Sequence, residues 1–247
     1  VPDLPGDALR LSVWSGPRNV STALMYSFRQ RPDTSVVDEP FYGHYLAFTG
    51  VDHPGRAEVL GDMETGPEAV IRDTILGGSE TRVRFFKNMA HHLAGLDRSF
   101  LDQVTNVLLV RDPRLMLPSL AEKIPTPVLR DTGLLEQVEI LEYLLASGDA
   151  PIVLDSATLL RDPRAVLSGL CCRLGLPFYG EMLSWPAGPK PEDGIWAKYW
   201  YRNVHASTGF AAPRKRPPPV PKRLEPLLLE CLELYGRLEE HAIPAGG

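Results

Sequence analysis

Five short apolar runs separated by helix-like segments constrain this chain more than any other feature. They fall at residues 9–15, 35–37, 82–86, 105–110 and 151–154. Runs this short, rich in Val, Leu and Phe, read as strands buried on both faces. Between and after them, residues 21–30, 67–76, 91–103, 114–122, 131–147, 156–160 and 163–174 read as helices, punctuated by Pro32, Pro67, Pro113 and Gly175. Strand–helix alternation of this kind predicts a parallel sheet with helices on both faces, an α/β three-layer sandwich. The 247 residues fit one such domain over 1–247. Residues 211–221 read as a Pro-rich connector. Residues 223–240 read as a C-terminal amphipathic helix with a stripe of Leu224, Leu227, Leu228, Cys231, Leu234, Tyr235 and Leu238. Residues 41–66 are aromatic and broken by Gly and Pro, an excursion suited to covering a pocket.

Composition narrows the function. A formal net charge of −5 argues against nucleic-acid binding by bulk electrostatics. Cys171, Cys172 and Cys231 show neither disulfide nor metal spacing and read as reduced thiols. No His-x-x-x-His or similar metal spacing is present, so no metal is expected. No apolar run reaches the roughly 18 residues of a membrane helix, and no basic-then-apolar leader is visible. The expectation is a cytoplasmic protein with no membrane or nucleic-acid partner. The oligomeric state stays open, a homodimer being one option.

Two segments point to an anion. The first is the join from Trp14 to Thr22, a strand, a tight turn and a helix start, which gathers backbone amides around negative charge. Gly16 permits a sharp departure, Arg18 supplies a fixed positive charge, and Ser21 and Thr22 supply hydroxyls. Gly-Lys-[Ser/Thr] is missing, so magnesium-bound nucleoside triphosphate is not favoured. A bare N-cap with a solvated Arg18 is the bland alternative. The second segment is Arg111, leaving the end of the 105–110 strand, with Ser119 eight residues on. Ligands of parallel sheets sit beyond the carboxyl ends of the strands. Two anion elements on that rim imply a ligand with two separated anionic groups.

The sequence Pro17-Arg18-Asn19-Val20-Ser21-Thr22 after a strand, with the Arg111–Ser119 spacing, resembles the sulfotransferase superfamily. Residues 153–163 and Leu174-Gly175-Leu176-Pro177-Phe178 are similar to that family's closing segment, so the resemblance runs over about residues 9–178. The strings from Trp14 to Thr22 and Val37-Asp38-Glu39-Pro40 resemble a bacterial subgroup. The resemblance implies a P-loop NTPase-like fold and the co-substrate 3′-phosphoadenosine 5′-phosphosulfate. It implies that Gly16, Pro17, Arg18, Asn19, Val20, Ser21 and Thr22 surround the 5′-phosphosulfate and that Arg111 and Ser119 hold the 3′-phosphate. Asn19-Val20 replaces the family's Ser-Gly. Lys87-Asn88-Met89 stands where cytosolic members carry Lys-Thr-His, so their catalytic His is a Met here. The late phosphate loop is matched loosely at 194–198.

Sulfuryl transfer to a hydroxyl or amine of a small-molecule acceptor needs charge stabilisation and a base. Arg18 and Lys87 are the expected stabilisers. Glu39, His91 and His92 are the leading candidates for the base, with His44 behind them. Phe41, Tyr42, Tyr45 and Phe48 either line the acceptor pocket or pack the core, and Trp196 either stacks on adenine or packs. The competing readings are a kinase-like phosphotransferase and a non-catalytic, ligand-binding member of the fold.

Overall fold

The computed structural model describes residues 8–212 and 218–243. Its centre is a five-stranded, all-parallel sheet in the order β2-β3-β1-β4-β5, formed by β1 (Leu9–Ser15), β2 (Thr34–Asp38), β3 (Val83–Met89), β4 (Thr105–Val110) and β5 (Ile152–Asp155). The first crossovers carry α1 (Ser21–Arg29), then α2 (Tyr42–Thr49), α3 (Arg56–Asp62) and the single turn α4 (Pro67–Ala69). After β4 come α5 (Pro113–Ala121) and α6 (Leu134–Ser147). After β5 come α7 (Ser156–Arg161) and α8 (Pro163–Arg173). The short α9 (Ala197–Trp200) and α10 (Arg202–His205) precede the C-terminal α11 (Glu225–Glu239).

Strand periodicity of two sorts the core into layers. Leu11, Val13, Val83, Phe85, Val107, Leu109 and Leu154 face one side, where Leu24 and Phe28 of α1 and Leu167 and Leu170 of α8 cover them. Trp14, Phe86, Leu108, Val110 and Val153 face the other, against α5, α6 and α11. The result is the α/β three-layer sandwich expected from the alternation. Within α11, Cys231, Tyr235 and Leu238 are buried against this second layer. Of the connector expected over 211–221, residues 213–217 lie outside the described residues. Among the described residues no helix is long and apolar enough to cross a membrane, and all three cysteines are free.

Several boundaries differ from the sequence reading. β3 runs to Met89 because Lys87 and Asn88, polar but buried, continue the ladder beside Val13 and Trp14. The helix expected over 91–103 is two 3-10 turns, Ala90–Leu93 and Ser99–Gln103, with Gly95 in the left-handed region between them. The segment 67–76 is α-helical for one turn and then widens into a π-helix over Val70–Ile75. Asp131 does not cap α6. It closes the preceding turn by accepting from the Val128 amide at 2.9 Å, and Gly133, at φ 70°, starts the helix.

Candidate active site

At the carboxyl end of β1 the chain turns through Gly16. A Cβ there would stand 2.3 Å from the Thr132 carbonyl oxygen, so this glycine is required by backbone approach. The left-handed conformation of the turn falls on Arg18, at φ 56°, which costs a non-glycine residue on the order of 1–2 kcal/mol. Asn19 holds the turn in place. Its Nδ2 donates to the Leu109 carbonyl of β4 at 2.8 Å, and its Oδ1 accepts from the Val20 amide at 2.8 Å. Val20 is the N-cap of α1, and no side chain caps that helix, so its first-turn amides are open to a ligand.

The two anion elements read from the sequence meet directly. Arg18 Nε donates to Ser119 Oγ on α5 at 2.9 Å, and Arg111 Nη1 donates to the Arg18 carbonyl. Burial lowers the Arg18 pKa from its usual value, with Glu122 opposing.

On the other side of β1, the ends of β2 and β3 build a buried ionic cluster. Lys87 Nζ donates to Asp38 Oδ1 at 2.9 Å, to Glu39 Oε1 at 2.5 Å and to Tyr201 Oη at 2.5 Å. Tyr201 in turn donates to Asp38 Oδ2 at 2.7 Å. Burial pulls the Lys87 ammonium down, but Asp38 and Glu39 outweigh it and leave its pKa raised, so Lys87 is charged. Burial raises Glu39, with the Asp38 charge adding and Lys87 opposing. Glu39 is the second non-glycine residue with a left-handed backbone, φ 42°. Strain of this kind gathers at functional sites.

Glu39 Oε2 lies 4.0 Å from His92 Nδ1. The Nδ1 atoms of His91 and His92 are buried and have no hydrogen-bond partner among the described residues. Burial drives His91 down to about 3 and His92 well below its usual value, so both imidazoles are neutral at pH 7.

These groups line one cavity of about 480 Å³, which includes Pro17, Arg18, Asn19, Val20, Ser21, Thr22, Glu39, Lys87, His91, His92, Arg111 and Ser119. Gly16 and Trp196 do not line it. Trp196 is buried in a small aromatic cluster with Tyr42 and Tyr45, its Nε1 donating to Tyr201 at 3.3 Å, which is the packing alternative rather than an exposed stacking face. His44 is turned away, with Nε2 3.0 Å from the Ala94 carbonyl. Of the aromatic excursion, Tyr42 and Tyr45 reach the cavity, Phe41 packs between Trp14 and Phe100, and Phe48 is 61% exposed. The loosely matched loop donates through the Gly194 amide to Asp38 Oδ2 at 3.3 Å. Sequence reasoning missed His53, Trp200 and Tyr201, which also line the cavity, as does Met89. Tyr201 sits 114 residues from Lys87, and no local pattern marks it.

A family model described as "Sulfotransferase domain" matches residues 9–242. The chain belongs to the sulfotransferase family. Among solved structures, this sulfotransferase chain is similar to the sulfotransferase domain of the Synechococcus PCC 7002 olefin synthase, at TM-score 0.52 and 17% identity over 97% of this chain and 98% of that one. It is also similar to a sulfotransferase from Alicyclobacillus acidocaldarius, at TM-score 0.53 and 14% identity over 96% and 98%. At such identities the likeness is one of fold. Two Arabidopsis thaliana proteins are much nearer in sequence. "Branched-chain-amino-acid aminotransferase-like protein 1" is 45% identical over 92% of this chain, and protein 2 of that name is 43% identical over 94%. The sulfotransferase chain spans 41% of the length of each.

Proposed function

We propose that this sulfotransferase moves a sulfuryl group from 3′-phosphoadenosine 5′-phosphosulfate to a hydroxyl or amine of a small-molecule acceptor. The observation that carries the reading is the convergence of Arg18, Arg111 and Ser119 in one cavity beyond the ends of β1 and β4. The start of α1 fits an anionic group as well, because among the described residues no side chain caps it. Pro17-Arg18-Asn19 in place of Gly-Lys-[Ser/Thr] speaks against a kinase-like reading.

In this reading Arg18, Ser21, Thr22 and the α1 amides hold the 5′-phosphosulfate, and Arg111 and Ser119 hold the 3′-phosphate. Arg18 and the charged Lys87 neutralise the phosphate as it leaves. Glu39 is the base. Its Oε1 is anchored on Lys87, and burial raises its affinity for a proton. The acceptor oxygen or nitrogen bonds to sulfur, the bond from sulfur to the phosphate oxygen breaks, and the acceptor's proton passes to Glu39.

Titration calorimetry with 3′-phosphoadenosine 5′-phosphate tests the donor site. Saturable binding is expected, weakened roughly 10–100-fold in Arg111→Ala by the loss of a charge-assisted contact. No heat at millimolar ligand with a folded sample overturns the reading.

A further inference from the structure

The end of β2 carries two adjacent carboxylates, Asp38 and Glu39, that the fold treats unequally. Both oxygens of Asp38 are occupied. Oδ1 accepts from Lys87 at 2.9 Å, and Oδ2 accepts from Tyr201 at 2.7 Å and from the Gly194 amide at 3.3 Å. Glu39 accepts through Oε1 alone, from Lys87 at 2.5 Å. Its Oε2 accepts no hydrogen bond among the described residues, and the residue lines the cavity. The difference traces to one phenol. Tyr201, between α9 and α10, has a single hydroxyl proton. Its nearest acceptor is Asp38 Oδ2 at 2.7 Å, ahead of Glu39 Oε1 at 3.3 Å. The same oxygen receives Lys87 Nζ at 2.5 Å. Burial holds the phenol well above its usual pKa, so it stays a neutral donor. The segment that carries Tyr201 is held to α1 at a second place. There Asp193 accepts from Tyr26 Oη at 2.7 Å and lies 2.9 Å from His205 Nε2.

We propose that Tyr201 is a positioning residue for the base. Its hydroxyl occupies Asp38 and steadies Lys87, which clamps Oε1 of Glu39 and leaves Oε2 open toward the acceptor. The assignment rests on the reading of Glu39 as the base and goes beyond it by naming what sets that base. Tyr201 itself touches none of the reacting atoms. Two neighbouring carboxylates take separate roles when their surroundings differ. Donors gathered on Asp38 commit it to the ion pair, and the carboxylate with an open oxygen is the one that can take a proton. The groups facing Glu39 are Asp38 from β2, Lys87 from β3, His92 from the turn after β3, Tyr42 from α2 and Tyr201. Burial keeps His92 neutral. For Glu39, burial raises the pKa most and Asp38 adds to it, while Lys87 and the Tyr201 hydroxyl oppose. Removing that hydroxyl therefore raises it further. Because Tyr201 belongs to a segment that lines the cavity, proton abstraction is tied to that segment being in place.

The test reads Glu39 directly and needs no acceptor. Infrared difference spectra of the full chain follow the carboxylic-acid carbonyl band of Glu39 from pH 4.5 to 8, assigned by its loss in Glu39→Gln. In Tyr201→Phe the midpoint should move up by about one pH unit, the tenfold expected for losing one hydrogen bond to a charged group. Tyr26→Phe frees the same segment from α1 but removes no bond to the cluster, and should move the midpoint by less than about 0.3 unit. Asp38→Asn, a second variant, should move it down, because it removes a like charge and releases the Tyr201 proton toward Glu39. A Tyr201→Phe midpoint that stays or falls overturns the proposal. So does an equal shift in Tyr26→Phe, which would make the effect one of loosened packing. An unmoved midpoint in Asp38→Asn overturns it too. Calorimetry with 3′-phosphoadenosine 5′-phosphate on the same samples separates this from the donor reading. The Kd in Tyr201→Phe should stay within about twofold of the unsubstituted chain. A larger loss would place Tyr201 in donor binding and overturn the proposal. No binding by the unsubstituted chain overturns the donor reading, and the role of Glu39 as base falls with it whatever the infrared midpoints show.

Discussion

Single side chains decide the chemistry here through burial. In the proposed reaction Glu39, a carboxylate kept from water, is the base, so its raised pKa sets an acidic limb on the rate. As a base it must be ionised, and kcat/KM should fall as pH drops through that value, which lies above the usual carboxylate range. Glu39→Gln should lower kcat by about 10²–10⁴-fold and abolish that limb. A rate profile from pH 4.5 to 8 checks both. His91 presents the opposite sign. Its folded pKa of about 3 lies below the unfolded 6.5, so the unfolded chain binds more protons between those values. The stability this contributes is fully present above pH 6.5 and is lost as pH falls toward 3. Between pH 7 and 4.5 the protein should lose about 2.5 kcal/mol more than His91→Phe does, read from urea midpoints at the two pH values.

At the scale of elements, the turn between β1 and α1 is fixed by its neighbours as much as by its own sequence. Gly16 backs onto the Thr132 carbonyl, and Asn19 bridges to β4. Gly16→Ala should therefore force backbone apart and destabilise the fold by about 1–3 kcal/mol, measurable as a lower urea midpoint. This turn was legible in the sequence as a strand, a tight turn and a helix start. The five strands were legible too, because apolar runs of this length are buried on both faces whatever follows them. The end of β3 was not. Lys87 and Asn88 look like the polar stop of a strand, and only Asp38, Glu39 and Tyr201 make Lys87 a buried residue. The 91–103 segment misled for a related reason. His91 and His92 are polar in sequence yet buried against Tyr42 and Tyr45, so their spacing follows the cavity wall and not a helix face. Glu39 and the two histidines could be picked out as titratable groups near strand ends. His53, Trp200 and Tyr201 come from distant segments that only the assembled fold brings in.

At the scale of the whole molecule, α9, α10 and residues 207–212 form a cover that lines the cavity, and Lys87 ties it to the sheet through Tyr201. Tyr201 is the residue of that cover that reaches the ionic cluster, through Lys87 and Asp38. Tyr201→Phe should cost about 1–3 kcal/mol and speed amide exchange across 196–210 more than in the sheet. Hydrogen-exchange mass spectrometry with and without 3′-phosphoadenosine 5′-phosphate checks this, and equal acceleration everywhere would refute it. The sheet order has a broader consequence. Because β1 lies between β3 and β4, the Lys87–Asp38–Glu39 cluster and the Arg111–Ser119 pair lie on opposite flanks of a single strand. In the proposed reading, residues that choose the acceptor on one flank can vary while those that hold the donor on the other are kept. Such a layout lets selection, or an engineer, diversify acceptors without rebuilding the engine.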